Sequence, residues 1–100
     1  MNWRYRIPFH LVLTSIHEKY DPDDEKTKVD EVDKTRMAVV LSQAPPLRWL
    51  SNLMRKVETP YQLETLLARI FDEADRQRVW LGFPGDEVYE DRGFPPQNGK

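Results

Sequence analysis

Histidine is the side chain most often used to move protons near neutrality, and the 100-residue chain has two, His10 and His17. Acid–base chemistry would start from them. They stand seven positions apart, which on an extended strand sends them to opposite faces. That spacing predicts that they do not act together. Nucleophiles are scarce as well. Cysteine is absent, which excludes a thiolate nucleophile, a disulfide framework and a Cys-based zinc site. Ser15, Ser42 and Ser51 remain, and none stands in a Gly-x-Ser-x-Gly turn.

Metal and phosphate chemistry fare no better. His17-Glu18-Lys19-Tyr20-Asp21 opens like a zinc-protease helix but has Asp21 where the second histidine is needed. A calcium loop begun at Asp21 would need Gly at position 26 and Glu at position 32, where the chain has Lys26 and Val32. All four glycines come after residue 81, so no Gly-rich loop exists to cradle a nucleotide phosphate. No catalytic residue, metal ligand or cofactor is assigned, and the chain is expected not to be an enzyme.

What remains is recognition. Trp3-Arg4-Tyr5-Arg6 alternates aromatic and guanidinium groups, and Arg48, Arg55 and Lys56 share one side of a helical segment with Trp49 at its margin. Trp3 and Trp49 can serve as rigid apolar anchors. Arg4, Arg6, Arg48 and Arg55 offer forked donors to carboxylate or phosphate, and Lys56 adds a point charge. These seven residues are the candidate partner-binding set. The partner is expected to be a protein or a second copy of the chain, with nucleic acid as the alternative, held by the basic face of the first helix together with Arg4 and Arg6. Against nucleic acid stand 17 acids to 15 bases, a net charge of −2. The following helix also turns outward Glu64, Asp72, Glu73 and Asp75, against Arg69 and Arg76.

These residues need elements to hold them. Trp3, Tyr5, Ile7, Phe9, Leu11 and Leu13 alternate with more polar residues, which predicts a strand broken or edged at Pro8. Residues 18–35 carry eight acids and four lysines with only Tyr20, Val29 and Val32 to bury, and predict a mobile acidic loop. Residues 36–43 place Met37, Val39 and Leu41 on one face of a second strand. Ala44-Pro45-Pro46 then opens a helix whose apolar arc is Leu47, Leu50, Leu53, Met54 and Val57. Thr59, Pro60 and Gln62 form a capping box for a second helix with Leu63, Leu66, Leu67, Ile70, Phe71 and Ala74 as its stripe.

The fold class this predicts is α+β: a small antiparallel sheet in β-β-α-α order, one face covered by an αα-hairpin. Residues 1–82 form the domain, and 83–100, rich in Pro, Gly and acid, form a loose tail. No apolar run approaches the ~20 residues that cross a bilayer, so no membrane role is expected and the location is expected to be cytoplasmic. Two strands leave an unpaired edge, which predicts self-association through it. The functional expectation is a small non-enzymatic binding or regulatory module.

Overall fold

Helical spacing rather than alternation governs the first apolar run. The computed structural model describes residues 3–82; the expected tail at 83–100 lies outside them. The chain enters through a two-residue strand β1 (Tyr5–Arg6), and Pro8 opens helix α1 (Phe9–Lys19). Phe9, Val12, Leu13 and Ile16 are buried, the i, i+3, i+4, i+7 face of a helix, while Leu11 is 64% exposed. The first predicted strand is therefore wrong beyond residue 7. Val12 and Ile16, both at even positions, already break the alternation in favour of the longer period.

The second predicted strand is also a helix. α2 (Glu31–Leu41) begins inside the segment expected to be a loop, where the Asp30 carboxylate accepts a hydrogen bond from Val32 N at 3.2 Å. Lys34, Met37, Ala38 and Leu41 are its buried face, and Val39, expected inside, is 47% exposed. The acidic loop shrinks to residues 20–30, and it is tied at several points. Asp24 Oδ1 accepts from Lys26 N and Thr27 N, Tyr61 N donates to Asp24 O, and Val29 N donates to Glu58 O.

A 3-10 turn (Pro45–Leu47) leads into α3 (Arg48–Arg55), and α4 (Pro60–Gln77) follows after a short turn. The capping box is present: Thr59 Oγ1 accepts from Gln62 N, and the Gln62 side chain accepts from Thr59 N. Leu63, Leu66, Leu67, Ile70 and Ala74 are buried. Arg78 takes a left-handed conformation (φ 56°) and turns the chain into β2 (Val79–Trp80). β2 pairs with β1 in parallel, with Tyr5 opposite Val79 and Arg6 opposite Trp80.

The described residues thus form four helices around one apolar centre with a two-strand parallel clasp. It is not an α+β fold with an antiparallel sheet in β-β-α-α order. The extended edge invoked for self-association does not exist among the described residues, where strand pairing covers two residue pairs. Hydrogen bonds also fasten the charged residues of α2. Asp33 accepts from Lys19 Nζ at 2.8 Å and from the Tyr20 hydroxyl at 2.7 Å, and Lys34 Nζ donates to Val57 O at 2.8 Å. α2 is thereby pinned to the end of α1 on one side and to the α3–α4 turn on the other.

Candidate functional site

The seven candidate residues fall into two groups. Trp3, Arg4 and Arg6 accompany the strand clasp. Arg4 N donates to Arg78 O, its guanidinium lies 5.7 Å from the Tyr5 ring, and that of Arg6 lies 5.3 Å from the Trp80 ring. Trp3 is half-buried there, and Arg4 and Arg6 are exposed. Arg48, Trp49, Arg55 and Lys56 belong to α3, all exposed. Each guanidinium thus lies over an aromatic ring of the clasp, Arg4 over Tyr5 and Arg6 over Trp80.

Of this group, Lys56 lines a groove between α3 and α4, and Trp49 meets its rim through Arg69. Where α4 packs on α3, Trp49 lies against Arg69, and Val57 and Tyr61 line one space. The space between them is about 450 Å³ and shallow. Its apolar lining is Leu53, Val57 and Leu66, its cations are Lys56 and Arg69, and Tyr61, Gln62 and Thr65 complete the α4 wall. No carboxylate lines it. Trp49, Leu53 and Lys56 lie at i, i+4 and i+7 of one helix stripe, and Tyr61, Thr65 and Arg69 at i, i+4 and i+8 of the other. The Arg69 guanidinium sits 5.3 Å from the Trp49 ring, a contact worth roughly 0.5–1 kcal/mol at an exposed site. Trp49 is 43% and Tyr61 51% exposed, so two large aromatic faces border a basic, apolar channel. Arg48 and Arg55 occupy the adjoining stripe of α3.

Sequence reasoning missed Tyr61 and Arg69. Their signal was the pairing register of a helical hairpin, which places residue 69 opposite 49 once the turn at 56–59 is known.

The histidines are placed otherwise than a strand would place them. Seven residues of helix turn through about 700°, so His10 and His17 share one side of α1, about 10 Å apart along its axis. His10 packs against Gly82; a Cβ built on that glycine would clash with His10 Nδ1. His17 sits at the mouth of a second cleft, of about 310 Å³, between the end of α1 and the start of α4. Ile16, Leu63 and Leu67 form its floor, and Glu64 faces it from α4. No group of three His, Asp or Glu among the described residues comes together as a metal site.

Away from the cleft linings, hydrogen bonding shifts two carboxyls. Burial pushes the Asp33 carboxyl up, but hydrogen bonds from Lys19 and Tyr20 outweigh it and hold it below the usual carboxylate range. Hydrogen bonds from Arg76 and Gln77 hold Glu73 low on the outer face of α4. Compared with protein family models, with curated proteins and with solved structures, the chain matches none.

Proposed function

We propose that the chain is a non-enzymatic binding module whose working surface is the α3–α4 groove, and that it takes an acidic segment of a protein partner bearing apolar or aromatic side chains. The observation that carries this reading is the groove's composition: aliphatic walls, the exposed Tyr61 ring, Lys56 and Arg69, no lining carboxylate, and the exposed Trp49 ring against Arg69 beside it. Tryptophan, tyrosine and arginine are the residue types that dominate binding energy at protein interfaces. The cations at the groove's two ends would fix the register of the partner's acids, and the channel between would bury its apolar side chains.

The same aromatics and cations could stack bases and hold phosphates, but the walls favour protein. Leu53, Val57 and Leu66 offer no stacking plane, and Asp72, Glu73 and Asp75 line the same helix toward its far end. Fluorescence anisotropy with labelled polymers tests the reading. A random glutamate–tyrosine copolymer is expected to bind about tenfold more tightly than polyglutamate, and Lys56→Glu with Arg69→Glu is expected to remove about tenfold. Equal binding of the two polymers would remove the groove's apolar role. Tighter binding of an oligothymidylate than of the copolymer would transfer the surface to nucleic acid.

A further inference from the structure

α4 separates two clefts of opposite character. Its face toward α3 borders the base-rimmed groove. Its face toward α1 borders the smaller cleft of about 310 Å³, at the lower end of the size range of small-molecule sites. The walls there are hydrocarbon: Ile16 from α1, Leu63 and Leu67 from α4, and Pro22 and Pro60 at the ends. Tyr20 closes one side, but its hydroxyl is already committed, donating to Asp33 at 2.7 Å and accepting from Asp30 N at 2.8 Å. Two polar side chains are left at the mouth, His17 and Glu64.

Glu64 is the informative one. Its helical neighbours three and four positions away are Pro60, Tyr61, Leu67 and Ala68, none of them basic. Among the described residues no lysine or arginine forms an ion pair with it. Of the other acids on α4, Asp72 and Glu73 are bridged by Arg76, and Asp75 does not line the cleft. A carboxylate without a counter-ion at the rim of an apolar cleft attracts a cation that carries its own hydrocarbon.

We propose that the α1–α4 cleft is a binding site for a small apolar amine. The hydrocarbon body fills the space over Ile16, Leu63 and Leu67, and the ammonium group donates to the Glu64 carboxylate, with the His17 imidazole as a second acceptor. This site is independent of the α3–α4 groove and lies on the other side of α4, so either can fail without the other.

The test is amide-resolved NMR titration of the full chain with three probes of like shape: phenethylamine, phenethyl alcohol and phenylacetate. Phenethylamine is expected to shift amides of residues 16–20 and 60–67 and to bind about fivefold or more tightly than the alcohol, with phenylacetate weakest. Glu64→Gln, a substitution at an exposed position, is expected to keep the spectrum of the folded chain and to level the amine with the alcohol. Glu64→Asp is expected to retain part of the preference. The proposal is overturned if phenethylamine causes no shifts in these segments. It is equally overturned if the three probes bind alike, or if the amine keeps its advantage in Glu64→Gln.

Discussion

At the scale of single residues, Asp33 and Gly82 carry more of the fold than their neighbours. Asp33 is buried and accepts from an ammonium and a phenol, so its carboxyl is held below its ordinary value of 3.8. A group whose pKa is depressed by folding stabilises the folded state above its unfolded pKa, and that stabilisation is lost as pH falls through the folded value. Asp33→Asn is expected to cost about 1–3 kcal/mol at neutral pH, because the Lys19 and Tyr20 donors lose their charged acceptor. It is also expected to flatten the fall in stability below pH 3.8, the ordinary value of the group it removes. Urea melts of both proteins from neutral pH downward check this; parallel acid limbs would show that Asp33 is not the group responsible. Gly82 is the second such residue. Its φ of 83° and the contact with His10 both oppose a side chain. Gly82→Ala is expected to destabilise by at least ~1–2 kcal/mol from the backbone conformation alone. His10→Ala in the same chain should return the part due to the clash, as a double-mutant cycle would measure.

At the scale of elements, what could be read from the sequence was what is encoded locally. Thr59, Pro60 and Gln62 mark the start of α4 within four residues, and its leucine spacing admits one period. α1 is different, because Phe9 and Leu13 suit either a strand face or a helix face. Only Leu11 against Val12 and Ile16 tells them apart, and the approach through Tyr5 and Ile7 truly is extended. For α2, the acids that made residues 31–35 look like a loop are its first turn, where carboxylates favour a helix N-terminus. The groove was half legible. Trp49 and Lys56 stand out as an aromatic and a cation on α3, whereas Tyr61 and Arg69 join them only through the hairpin's register. Substitution separates the two readings of α1 directly. Leu13→Ala is expected to cost ~2–5 kcal/mol, as a buried leucine does. Leu11→Ala is expected to stay within about 0.5 kcal/mol. On a strand both would lie on the core face and both would be costly, so equal losses in denaturant melts would restore the strand.

At the scale of the whole molecule, the ends of the described chain are held by the clasp. Ile7 N donates to Trp80 O and His10 N to Leu81 O, and Ile7 and Val79 are buried beneath. This joins residues 5 and 79, so the entropy of closing a loop that spans most of the described residues must be met before those contacts form. The α2–α3 and α3–α4 packing, by contrast, links neighbours in sequence through short turns. The clasp should therefore close after the helices have packed, on the native side of the folding barrier. Ile7→Ala is expected to lose ~2–5 kcal/mol of stability and to express nearly all of it as faster unfolding. Leu50→Ala, buried in α3, is expected to slow folding measurably. Stopped-flow refolding and unfolding across a denaturant series reads both limbs. If Ile7→Ala slowed folding as much as Leu50→Ala, the clasp would belong to the folding nucleus, and the helices would be assembling after the clasp had already closed.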